Sequence, residues 1–126
     1  MYEIRVISDF SAAHMLRHYK GKCENIHGHN WKVEISLASK RLDGQGMVMD
    51  FKDVKKKMAA VLDGLDHTNL NDIPYFKKVN PTSENIAKYI YDKLLTTNDR
   101  RLTTNSGRLK VTVWESDTAC STYYER

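Results

Sequence analysis

The stretch Cys23-Glu24-Asn25-Ile26-His27-Gly28-His29-Asn30-Trp31-Lys32-Val33-Glu34-Ile35-Ser36-Leu37 decides how this chain folds. From His27 onward, His27, His29, Trp31, Val33, Ile35 and Leu37 share one side and Lys32, Glu34 and Ser36 the other, and the pattern continues to residue 39. An alternation of this period marks a strand with one buried face. Two imidazoles therefore fall on the apolar parity at the start of that strand.

A second alternation precedes it. Tyr2, Ile4, Val6, Phe10 and Ala12 lie on one face of residues 2 to 14, with Glu3, Arg5, Asp9 and Ser11 on the other, and His14 takes the apolar parity. Pairing the two strands as an antiparallel hairpin brings the end of the first beside the start of the second. His14, His27 and His29 then meet at one rim of one sheet face, while Gly28 points to the other. A catalytic zinc takes three protein ligands and keeps a fourth position open, and imidazole nitrogen suits it. The three histidines are expected to be its ligands. His18, in the intervening loop, is expected at the surface.

Downstream, Asp50 reads as a helix N-cap, with Phe51, Val54, Met58, Val61, Leu62 and Leu65 at amphipathic spacing. A second helix starts near Pro81-Thr82-Ser83-Glu84, repeats Ile86, Ile90 and Leu94 on one side, and ends by Thr96. Residues 97 to 108 read as an exposed loop. Leu109, Val111, Val113 and Glu115 share the inner parity of a third strand, and Thr118 to Tyr124 form a last one. The order ββααββ predicts an α+β domain, a four-stranded antiparallel sheet with two helices on one face, spanning residues 1–126 as a single domain.

A net charge of +4, with Lys and Arg spread along the chain, favours an anionic small molecule as readily as nucleic acid and does not single out the latter. The longest apolar runs fall well short of a membrane span, and the first residues carry no signal-peptide pattern, so a cytoplasmic setting is expected. Two cysteines in no framework pattern agree with a reducing compartment, and Cys120 is expected to be a small buried hydrophobe.

Three further groups carry chemistry. Cys23, four residues before His27, reads as a general base with a lowered pKa, a fourth zinc ligand, or an inert thiol. Asp66-His67 offers an acid that can orient an imidazole, or else a capped turn after a helix. Glu115 at the inner end of its strand can pair with a lysine or accept from a ligand with adjacent N–H donors.

The segments Phe10-Ser11-Ala12-Ala13-His14, Cys23 through Asn30, Gly46-Met47-Val48-Met49-Asp50-Phe51, Leu65-Asp66-His67-Thr68-Asn69-Leu70-Asn71, Asn80-Pro81-Thr82-Ser83-Glu84-Asn85-Ile86-Ala87 and Val113-Trp114-Glu115-Ser116 stand in one order. In that order the chain closely resembles the 6-pyruvoyl-tetrahydropterin synthase and 6-carboxytetrahydropterin synthase family. The resemblance implies the tunnelling fold, zinc on His14, His27 and His29, Cys23 as general base, and Asp66 and His67 as its relay. It also implies Glu115 as the anchor of the pterin ring, with Thr82, Ser83 and Glu84 beside it. By the same resemblance, trimers stack in pairs into a homohexamer with active sites between subunits. The implied enzyme is a zinc-dependent lyase acting on 7,8-dihydroneopterin triphosphate. It releases triphosphate and acetaldehyde and yields 6-carboxytetrahydropterin, a precursor of deazapurine bases such as queuosine. Alternatives are pyruvoyl formation, a folate-type cleavage to 6-hydroxymethyldihydropterin using Glu24 as a second base, and a zinc-stabilised binding module without turnover. Arg17, Lys20, Lys22, Arg100 and Arg101 are candidates for holding the phosphates.

Overall fold

The computed structural model describes residues 1–19, 25–103 and 108–126. Strands β1 (Tyr2–His14) and β2 (His27–Ser39) form the expected antiparallel hairpin, from Tyr2 opposite Ser39 to His14 opposite His27. Helix α1 (Phe51–Leu62) follows, then a two-residue strand β3 (Thr68–Asn69), a 3-10 turn (Leu70–Asp72), and the short helix α2 (Pro74–Lys78). Helix α3 (Ser83–Leu95), helix α4 (Arg100–Thr103) and strands β4 (Leu109–Ser116) and β5 (Ala119–Tyr124) complete the order.

The sheet runs β3-β1-β2-β4-β5. It is mixed rather than wholly antiparallel, because β3 lies parallel to β1 with Thr68 beside Ala12 and Asn69 beside Ala13. The expectation of four strands and two helices thus misses one strand and two short helices. β3 has no periodicity to read, being two residues held by their neighbours, and α2 and α4 are too short to show an amphipathic repeat.

Alternation decides which side is covered. Val6, Phe10, Trp31, Val33, Ile35, Leu37, Leu109, Val111 and Val113 are all buried on the inner face. Helix α3 lies across β4 and β5 there, and α1 packs against β1 and α3. Val54, Met58 and Leu62 of α1 and Ile86, Ala87, Ile90, Tyr91 and Leu94 of α3 supply the other half of the core. Burying each large member contributes about 1.5–3 kcal/mol. Asp50 caps α1 by accepting from the Lys52 N–H, and Thr82 caps α3 by accepting from that of Asn85. Phe51, read as part of the apolar stripe, is instead exposed at the first turn of α1.

The outer face keeps Asp9 opposite Lys32 and Thr112 opposite Thr122, as expected of an antiparallel sheet covered on one side. Cys120 belongs to this face. It is exposed opposite Trp114, which corrects its reading as a buried residue, because the inner parity of β5 is taken by Ser121 and Tyr123. No described helix is long and apolar enough to cross a membrane.

Replacing Ile90 by Ala on the buried stripe of α3 should lower stability by about 2–5 kcal/mol. In urea titrations this appears as a lower midpoint at an unchanged slope.

Candidate metal centre

The hairpin register builds the site directly. His14 and His27 are cross-strand partners and His29 lies opposite Ala12, two residues along the same face. Their rings meet edge to face, with centroids 4.6 Å apart for His14 and His27 and 4.7 Å apart for His27 and His29. Trp31 forms the floor, its ring 4.8 Å from that of His14 and 5.1 Å from that of His29, with its indole N–H donated to the Ala12 carbonyl. Side chains with two fixed neighbours each have little rotamer freedom left to lose.

Hydrogen bonds outside the cluster set the tautomers. His14 Nδ1 lies 2.7 Å from the Pro81 carbonyl oxygen and His27 Nδ1 2.9 Å from that of Asn25. A carbonyl can only accept, so both Nδ1 atoms carry the proton and both Nε2 atoms present a lone pair. Those two Nε2 atoms face each other at 3.1 Å. His29 Nε2 is buried and makes no hydrogen bond, although the Glu115 carboxylate Oε1 is only 3.1 Å away. Several acceptors turned toward one point repel one another unless a cation lies among them. The ligating atoms of His14, His27, His29 and Glu115 all fall within 4.8 Å of one another, so the four can hold a metal ion. The donor set, imidazole with one carboxylate, suits a zinc-like cation.

Glu115 joins the three histidines, which sequence alternation alone does not reveal. Its strand parity placed it on the inner face, but its aim comes from a bulge: from Trp114 to Ser116, β4 advances two residues while β5 advances one, from Cys120 to Ala119. Bulges re-aim side chains next to functional sites.

Two asparagines hold the segment that follows His14. Asn71 accepts from the Met15 N–H and donates to its carbonyl, and Asn80 does the same for Arg17. Each amide thereby replaces a missing strand partner. The Arg17 guanidinium donates to the carbonyls of Phe76 and Val79, so it serves as a structural clip. Arg101 is likewise engaged, paired with Asp53 and Asp99. Lys20 and Lys22 lie outside the described residues, as do Cys23 and Glu24, while His18 is exposed as expected.

Asp66 and His67 sit elsewhere. Asp66 accepts from the Ser11 N–H at 2.8 Å, and this bond, with the adjacent imidazole, keeps its carboxyl below the usual carboxylate range. His67 Nδ1 lies 3.0 Å from the second Asp66 oxygen, its backbone N–H donates to the Ser11 carbonyl, and its side chain is 83% exposed. His67 reaches both partners only by adopting φ +58°, a conformation that few non-glycine residues take. The pair is docked on the edge of β1 away from β2. At the start of α3 the Thr82 hydroxyl is taken up in capping, and Ser83 bonds both Ser121 and Glu84. Glu84 is held below its usual range by its own backbone N–H and by those serines. A cavity of about 470 Å³, lined by Tyr2, Ile4, Leu42, Met47, Val48 and Phe51 among others, opens near the far end of β1.

Burial, aided by the neighbouring imidazoles, pushes the His14 pKa down, against the Pro81 hydrogen bond and Glu115. In metal-free protein the unfolded chain takes up a proton at this residue near pH 6.5 that the folded site resists. Stability should therefore fall as the pH drops below about 6.5. Thermal melts should show this loss, and His14→Gln should flatten it. Replacing Asn80 by Ala leaves both Arg17 backbone groups without their partner and should cost about 1–3 kcal/mol by urea titration.

The family model described as 6-pyruvoyl tetrahydropterin synthase matches residues 3–126. The solved 6-pyruvoyl tetrahydropterin synthase of Caenorhabditis elegans is 34% identical and superposes with a TM-score of 0.84 over 99% of this chain and 96% of that one. The 6-carboxy-5,6,7,8-tetrahydropterin synthase of Synechocystis sp. is 43% identical over 90 residues, 68% of each protein. A solved Plasmodium vivax 6-pyruvoyltetrahydropterin synthase, described as a catalytic-residue mutant at a glutamate, is 26% identical with a TM-score of 0.78 over 99% of this chain and 98% of that one.

Proposed function

From the membership of this chain in the 6-pyruvoyl tetrahydropterin synthase family, we propose that it is a zinc-dependent 6-carboxytetrahydropterin synthase. It converts 7,8-dihydroneopterin triphosphate to 6-carboxytetrahydropterin with release of triphosphate and acetaldehyde, in the cytoplasm and toward deazapurine bases. The observation that carries this reading is the trio of imidazoles whose Nδ1 bonds at His14 and His27 leave Nε2 lone pairs converging on one point. The Synechocystis relative bears the name of this reaction.

His14, His27 and His29 would hold the zinc, which when bound would supply Lewis acidity toward the side-chain hydroxyls of the substrate. Cys23, four residues before His27, accepts a proton from the substrate side chain. Asp66 orients the imidazole of His67 through the 3.0 Å contact and stabilises its charged form, which suits His67 to pass that proton on. Glu115 accepts from the adjacent N–H donors of the pterin ring, and Thr82, Ser83 and Glu84 border it. The exposure of the His67 side chain, just before β3 at the rim of the sheet, supports an active site completed by a second copy of the chain, within a hexamer of two stacked trimers.

The C. elegans protein bears the pyruvoyl name, which makes retention of the carbon chain the second reading. The description of a glutamate in the P. vivax protein as a catalytic residue favours a third, in which Glu24 acts as a base in folate-type cleavage.

Incubating zinc-loaded protein with 7,8-dihydroneopterin triphosphate should yield 6-carboxytetrahydropterin and acetaldehyde by chromatography. A pyruvoyl or 6-hydroxymethyl product decides for one of the alternatives. Cys23→Ala should keep its zinc while losing at least about 100-fold in turnover. His27→Ala should lose both metal and activity.

A further inference from the structure

Glu115 sits where two demands meet. One carboxylate oxygen lies 3.1 Å from His29 Nε2 and 3.7 Å from His14 Nε2, inside the set of atoms that can share a cation. The contact with His29 is close but lacks the alignment of a hydrogen bond. With the His14 and His27 lone pairs turned to the same point, a carboxylate oxygen and an imidazole nitrogen this close stand where two ligands of one ion would.

The backbone supports this arrangement. The bulge leaves Glu115 without a partner on β5, so its aim is not dictated by the ladder. The side chain remains 41% exposed, in contrast to 2% for that of His14. The first is a group that can swing; the second is one that cannot.

We propose that Glu115 is a displaceable fourth ligand of the His14–His27–His29 site, closing the metal when no substrate is bound and releasing it when a ring with adjacent N–H donors claims the carboxylate. The ring donors draw both oxygens into a paired contact. The vacated position is then free for an oxygen of the substrate. The proposal deepens the reading of Glu115 as the ring anchor and rests on it. It also makes the metal and a bare ring compete for one carboxylate. Each then weakens binding of the other by the same factor, as linkage requires.

The test uses cobalt(II) as the probe metal and a pterin without a side chain as the probe ring. Glu115→Gln keeps the shape and removes the charge, and metal-free melting with a Ser116→Ala control establishes that the variant is folded. In substrate-free protein the variant should hold cobalt about 10–100-fold more weakly in chelator competition. Its visible cobalt spectrum should differ from that of the unsubstituted protein. Adding the pterin should move the unsubstituted spectrum toward that of the variant, weaken its cobalt affinity, and leave the variant unchanged. Equal affinities and superimposable spectra for the two proteins overturn the proposal, as does a pterin that binds without changing either. The assay does not depend on turnover. Loss of cobalt affinity in a protein inactive on dihydroneopterin triphosphate supports the ligand role and removes the proposed reaction. Turnover by the unsubstituted protein, together with unaltered cobalt binding in Glu115→Gln, removes the ligand role alone.

Discussion

The hydrogen bond from His14 Nδ1 to the Pro81 carbonyl is the contact on which the rest of this architecture turns. It joins the last residue of β1 to the residue before the cap of α3, two segments 67 positions apart. It puts the imidazole proton on the outer nitrogen and turns the inner lone pair toward His27 and His29. The imidazole is 1% exposed, so water cannot take the place of the carbonyl. The core packing of α3 against β4 and β5 therefore also determines the state of a ring on β1. Fold stability and ligand geometry are the same constraint viewed from two ends.

Much of this was legible from alternation. The parity of residues 2 to 14 and 27 to 39 gave the hairpin, and the register His14 opposite His27 follows from its geometry. Both long helices begin where their capping residues stand, at Asp50 and Thr82. What escaped was whatever depends on contacts distant in sequence or on irregular backbone. Asn71 and Asn80 clasp chain more than fifty residues away, and an asparagine in a loop carries no sign of its partner. The aim of Glu115 depends on a bulge that appears only once β5 is placed. The face of Cys120 is equally hidden, because Ala119, Ser121 and Tyr123 alternate with Cys120, Thr122 and Tyr124 and neither set is plainly the apolar one; pairing opposite Trp114 puts it outside. Arg17 and Arg101 look like free cations in one dimension and are committed to protein partners in three.

The Asp66–His67 pair shows how a short strand can serve as an address. β3 contributes only two residues to the sheet, yet pairing with Ala12 and Ala13 fixes the turn before it. The left-handed conformation of His67 is the local cost, and its bonds to Ser11 and Asp66 hold it in place. The imidazole is thus presented rigidly to the outside of its own chain.

The two asparagine claspings have a consequence for how such a scaffold changes. Met15 and Arg17 are pinned on one side of the hairpin connection, and His27 is pinned on the other by its partner strand. A connection whose two ends are anchored this firmly becomes an interchangeable cassette. Its contents can be rewritten with the pairing of His14 and His27 undisturbed. Divergence in chemistry among chains of this architecture then needs no remodelling of the frame, only a new word between fixed brackets.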